Sequence, residues 1–267
     1  MKIEPVEFEE QKHEADVALC RATIYSALAL GFRPPNAETL RRLGSQDAID
    51  GLADAAAILD GDGGTPLCES IQRLSGKARS VSDLSAAASR LFGHTARGKV
   101  SPYETEYGSE AIFQQAHDLG DLNGFYLAFG LILNVTEHER PDHISCECEF
   151  LSFLALKEAY ALESGDPSML EEVRHATPLF LRSHLARFVP AFSRELAIVE
   201  AESFYGALGG LCMEFVLQEC RRWKVPLGHE TLGLRPVTDD GVPMACGVGG
   251  ECSAIPGVFD PATSDED

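Results

Sequence analysis

The chain has 267 residues, 45% of them hydrophobic, with 42 acidic against 22 basic side chains and a formal net charge of −20. That length accommodates one large helical domain or two small ones, and the apolar share is ample for a sizeable core. Such a negative surplus argues against binding a nucleic-acid backbone and favours a cationic partner.

The opening Met1-Lys2-Ile3-Glu4-Pro5 runs into acidic residues with no apolar stretch of a secretory or twin-arginine signal. No segment is read as approaching the ~20 apolar residues of a membrane helix. A cytoplasmic protein without membrane insertion is expected, with Arg41-Arg42 and Arg221-Arg222 as surface charge. In that compartment eight cysteines do not make a disulfide framework. Cys20, Cys148 and Cys212 lie among apolar residues and read as small core side chains.

Helical periodicity dominates from there on. Residues 9–31 form a first helix closed by Gly31 and Pro34-Pro35. Residues 37–59 form a second, and the Gly-rich stretch 61–66 is a turn rather than a phosphate loop, since no strand precedes it. A helix over 81–92 ends in Leu91-Phe92-Gly93. A loop then leads through Pro102 to Tyr103-Glu104-Thr105-Glu106-Tyr107. Leu122, Phe125, Tyr126, Phe129 and Ile132 share one face of a helix predicted over 120–138. A helix opening at Asp142 runs to Ser164, where Gly165-Asp166-Pro167 breaks it. Two more cover 168–188 and 190–222, the second kinked near Gly209-Gly210. The expected fold is an all-α helical bundle over 1–223, followed by a flexible acidic Gly/Pro-rich tail over 224–267 that carries Cys246 and Cys252.

At the head of the 142–164 helix, Pro141 stands where a missing N–H is tolerated, and Asp142 can cap or charge the first turn. His143 is then held at a helix start beside Glu139. His138-Glu139 with His143 does not match a zinc-protease spacing, because the residue four after His138 is Asp142 and Pro141 interrupts the face. Cys146 and Cys148, or Glu147 and Glu149, point about 200° apart on a helix and cannot converge on one ion. Cys148 is therefore core, and Glu147 or Glu149 faces solvent or a partner. Cys246 and Cys252 supply two thiolates where a stable site needs about four ligands. No cofactor, nucleophile–base pair or dinucleotide fingerprint is read from the chain, and no enzyme is expected. The rival reading is a metal- or iron–sulfur-binding helical redox protein using the tail cysteines. Aromatic residues interleaved with carboxylates, as in Tyr103-Glu104-Thr105-Glu106-Tyr107 with Tyr126 and Phe129, suit a peptide with two arginines and an apolar stretch, with simple core packing the other reading of Tyr126 and Phe129.

Four ordered blocks carry a family resemblance: Tyr25 to Pro35, Leu91-Phe92 with Pro102 to Gly108, Asp121 to Gly130, and the Pro141-Asp142-His143 run. Together they resemble the TorD/DmsD/NarJ family of cytoplasmic molybdoenzyme maturation chaperones, across about residues 17–163. The resemblance implies an all-helical chaperone, monomer or homodimer. Its partner would be a molybdopterin oxidoreductase catalytic subunit, held through its twin-arginine leader until cofactor insertion and folding precede export. The family's peptide-binding determinants map onto Leu91, Phe92, Pro102, Tyr103, Pro141, Asp142 and His143. Asp142 is then the natural acceptor for leader arginines, with Glu104 and Glu139 in support. Cys146 and Cys148 replace the aliphatic residues usual in that block.

Overall fold

The computed structural model describes residues 5–61, 66–93, 98–108, 114–134 and 139–235. These residues form ten α-helices and no named strand: α1 (Pro5–Phe32), α2 (Ala37–Leu43), α3 (Gln46–Asp60), α4 (Pro66–Leu74), α5 (Val81–Phe92), α6 (Gln114–Ala128), α7 (Ile144–Ser164), α8 (Pro167–Ser183), α9 (Leu185–Glu200) and α10 (Phe204–Trp223). The all-α expectation holds, and its boundaries move for identifiable reasons.

The helix predicted over 37–59 is two helices. Gly44 closes α2, and the Ser45 hydroxyl then caps α3 by accepting from Ala48 N–H at 3.3 Å. The helix predicted over 120–138 starts earlier and ends at Ala128, because Gly130 takes φ +72° and turns the chain. Leu122 and Tyr126 reach the core as the periodicity required, whereas Ile132 lies beyond the helix and is 83% exposed. The break in the predicted 190–222 helix lies earlier than Gly209-Gly210, through which α10 runs uninterrupted: α9 stops at Glu200, and the Ser203 hydroxyl caps a new helix through Gly206 N–H. Likewise α8 gives way to α9 at His184, whose backbone sits at φ −126°, ψ −98°.

α1 packs lengthwise against α7, and α9 against α10, with Ile24, Tyr25 and Leu28 facing Leu151, Leu154 and Phe215 in one core. The window Glu9–Phe32 of α1 is long and apolar enough to cross a membrane by length and composition alone, a test that the buried core helix of a globular protein also meets. The cause is internal: 72% of that window is buried inside the fold, so α1 is apolar nearly all round. At its centre Arg21, 1% exposed, donates to both oxygens of Glu219 at 2.9 and 3.0 Å and to Glu158 at 2.5 Å. A buried guanidinium is tolerable only with partners of this kind.

Residues 224–235, assigned by sequence to the tail, instead belong to the same compact unit as the helices. They form a strap laid back across α9. Pro190 sits inside α9 and has no N–H to offer Ala186, four residues earlier. Gly228 N–H donates to that carbonyl at 2.9 Å. A Cβ at Gly228 would lie 2.1 Å from the Arg187 carbonyl oxygen, so only glycine brings the strap this close. Further along, Leu234 bridges antiparallel to Tyr107.

Candidate functional site

Two loops are zipped together at the head of α7. Glu104 N–H donates to the Asp142 carbonyl and Ile144 N–H to the Pro102 carbonyl, each at 2.9 Å, around an antiparallel bridge between Tyr103 and His143. Glu104 to Glu106 then coil into a single 3-10 turn. The Tyr126 hydroxyl of α6 donates to the Pro141 carbonyl at 2.8 Å and holds the turn from the other side.

This arrangement assigns the cap differently from the sequence reading. His143, not Asp142, is the N-cap of α7: its Nδ1 accepts from Ser145 N–H at 3.2 Å and lies 2.6 Å from the Ser145 hydroxyl. With Nδ1 accepting, the ring proton resides on Nε2. Burial, with Arg140 and Arg33 nearby, pushes the His143 imidazole down to about 3, so it is neutral.

Asp142 has no exposed surface. Its Oδ2 accepts from Thr105 N–H at 3.2 Å and the Thr105 hydroxyl at 2.7 Å. Arg140 completes the set as a fork, Nε to Oδ1 at 2.9 Å and Nη2 to Oδ2 at 2.7 Å. The same guanidinium lies 4.4 Å over the Tyr103 ring and 3.5 Å from Glu106.

Behind this layer lies a second cluster. Glu104, also fully buried, is held by Arg187 of α9 and by His184 Nδ1 at 3.0 Å, while His184 Nε2 meets Asp121 of α6 at 3.1 Å. Arg187 continues to Asp118 at 3.1 Å. Glu147 of α7 is completely buried and neither carboxylate oxygen has a hydrogen-bond partner. Burial, then the charges of Glu104 and Asp142, hold its carboxyl well above the ordinary range, so it keeps its proton. Glu149 is the acid that faces outward, paired with Arg33.

Beside the network an apolar groove of about 400 Å³ runs between α7 and the segment after α6. Leu131, Leu133, Phe150 and Phe153 line it, with Glu139, Cys146, Glu149 and Arg33 at its edges. Burial pushes the Cys146 thiol up to about 12, so it is a neutral lining group rather than a thiolate. Ile132, 83% exposed, carries the apolar lining out to the surface.

Of the nine residues singled out by sequence, Pro102, Tyr103, Glu104, Glu139, Pro141, Asp142 and His143 come together here. Leu91 is core, and Phe92 packs edge-on to Tyr205 at 5.1 Å and stacks with Phe192 at 6.4 Å. Their part in the site is indirect: the Leu91 and Phe92 carbonyls accept from Val100 and Gly98 N–H and fix the loop that delivers Pro102. Arg140, His184, Arg187 and Glu147 were not legible as site residues. Glu147 alone left a trace, falling in step with Leu151, Leu154 and Glu158 on the buried face of α7. Cys246 and Cys252 lie outside the described residues.

The chain belongs to the TorD/NarJ group of redox-enzyme maturation proteins. In particular, the family model described as nitrate reductase delta subunit matches residues 45–194, more than half of the chain. Among its relatives is a perchlorate reductase assembly chaperone protein of Dechloromonas aromatica (strain RCB), 26% identical over 215 residues, covering 75% of this chain and 88% of that one. A chlorate reductase assembly chaperone protein of Ideonella dechloratans is 29% identical over 179 residues, 67% and 78% of the two chains. The chaperone protein TorD of Vibrio cholerae serotype O1 is 25% identical over 205 residues, 74% and 90%.

Proposed function

We propose that this protein is a non-catalytic cytoplasmic chaperone for the catalytic subunit of a molybdopterin oxidoreductase, acting as a monomer or homodimer. It binds the subunit's twin-arginine leader and holds back export until the cofactor is inserted and the client has folded. The observation that carries this reading is a single juxtaposition: a guanidinium-binding cage of Asp142, Thr105 and Tyr103 beside an apolar groove edged by Glu139, Glu149 and Arg33. A bidentate carboxylate and a ring face are what an arginine needs, and the groove suits the apolar part of a leader. Leu91, Phe92 and Pro102 support the loop, and Glu139 and Glu104 add negative charge near the cage. The assembly-chaperone names of the relatives point the same way.

The test is fluorescence anisotropy with labelled leader peptides. An Arg-Arg leader is expected to bind about tenfold or more tightly than its Lys-Lys counterpart, because lysine lacks the planar fork. Ile132→Asp, at the exposed edge of the groove, is expected to weaken binding without lowering the melting temperature. Equal affinity for both peptides, together with no effect at Ile132, would remove the proposal.

A further inference from the structure

The cage at the head of α7 already holds a guanidinium, and the chain itself supplies it. Arg140 reaches forward two residues to Asp142 with both arms of its fork, at 2.9 and 2.7 Å, and Nη2 also meets the Thr105 hydroxyl at 2.8 Å. Its plane lies 4.4 Å over Tyr103, and Nη1 is 3.5 Å from Glu106. The Asp142 carboxylate is 0% exposed while the Arg140 side chain is 36% exposed, so Arg140 stands between the carboxylate and solvent. Asp142 accepts one hydrogen bond at Oδ1 and three at Oδ2. No room is left for a second fork while the first stays in place.

We propose that Arg140 is an internal occupant of the arginine subsite, which a client arginine must displace to bind. This rests on the leader reading above and adds a rule of selection to it. A buried carboxylate without a cation is costly, so the unliganded chain needs a counter-ion at Asp142. Arg140 meets that need from a position where its side chain can swing into solvent with the backbone bridge at His143 intact. Exchange of one arginine for another is close to neutral at the cage. The net drive for binding then comes from the second leader arginine and the groove. A lysine fares worse on both counts, since it must evict a fork and a stacked plane while replacing neither. Arg140 is thus a specificity-determining residue that lowers affinity and sharpens discrimination.

The experiment uses the full chain as wild type, Arg140→Ala and Arg140→Lys, with labelled Arg-Arg and Lys-Lys leader peptides. If the open form is a minor state of about 1–10%, Arg140→Ala binds the Arg-Arg leader about 10- to 100-fold more tightly, and the preference over Lys-Lys shrinks. Methylguanidinium is the second probe. It is expected to raise the melting temperature of Arg140→Ala, to leave that of the wild type unmoved, and to compete with the leader. Should the alanine variant fail to fold, Arg140→Lys keeps the charge without the fork and binds the leader more tightly by a smaller factor. Wild-type binding with unchanged or weaker binding in the variants overturns the displacement and leaves the leader site standing. Absence of any Arg-Arg preference in all three proteins overturns the site itself, and the displacement with it.

Discussion

His143 and Glu147 sit one helical turn apart on α7, and burial moves their proton affinities in opposite senses. The His143 imidazole falls from 6.5 to about 3 in the folded chain. Between those values the unfolded chain binds more protons, so the contribution of His143 is present above about pH 6.5 and is lost as pH falls. The slope is at most about 1.4 kcal/mol per pH unit. Asparagine keeps a capping acceptor without a titratable ring. His143→Asn is therefore expected to lose less stability than the parent between about pH 6.5 and 4, measured by urea titration. The Glu147 carboxyl lies well above its ordinary 4.5, and its environment is set by Glu104 and Asp142 on the facing loops, Arg187 on α9 and Cys212 on α10. Here stability is present at low pH and lost as pH rises. Glu147→Gln is expected to be more stable than the parent near pH 8, with the gap closing toward pH 4.5. A constant gap across that range would mean that Glu147 is ionised in the fold.

Among the elements, the strap shows how a helix can contain a proline without bending away. The Ala186 carbonyl, deprived of a partner by Pro190, is satisfied by Gly228 N–H from 42 positions along the chain. Gly228→Ala places a Cβ 2.1 Å from the Arg187 oxygen and lifts the strap, with an expected loss of about 1–3 kcal/mol for the exposed carbonyl and its neighbours. Gly210→Ala in α10 meets nothing within 4 Å and is expected to gain about 0.5–1 kcal/mol. Thermal melting of the two variants, moving in opposite directions, checks both. The end of α7 was legible because Gly165 takes φ +66° and acts locally, whereas its start falls at Ile144 because His143 rather than Asp142 caps it. The break at His184 was not legible. The pattern Phe180-Leu181-Arg182-Ser183-His184-Leu185 continues a helix, and the cause of the break is tertiary: the His184 ring is held between Glu104 and Asp121. For the same reason the strap read as tail, since its glycines and prolines answer to α9 rather than to their neighbours.

For the molecule as a whole, a formal charge of −20 acts at long range on any basic leader. Exposed charges are screened beyond about 10 Å at 0.1 M salt. Raising ionic strength is expected to slow leader association steeply while changing dissociation much less, because the cage contacts are buried. Stopped-flow fluorescence at several salt concentrations separates the two; a dissociation rate that carries the whole effect would place the recognition at the exposed rim. The sequence pointed to the loops, and to most of the acids, that the structure brings together around Asp142. What it hid was the pairing, since Arg187 meets Glu104, and Arg140 meets Thr105, Glu106 and the Tyr103 ring, only when the 101–107 segment closes on α9 and the head of α7.

α1 offers a last consequence, for the order in which the chain is made. Its apolar face is covered mainly by α7, which ends at Ser164, more than a hundred residues after α1 ends at Phe32. At about 5–20 residues per second, the ribosome delivers α1 roughly 10 s before its partner helix exists. During that interval a segment apolar enough to cross a bilayer stands uncovered in the cell. Ribosome-bound chains stalled before Ile144 are therefore expected to leave α1 open to proteolysis, with protection appearing once α7 emerges.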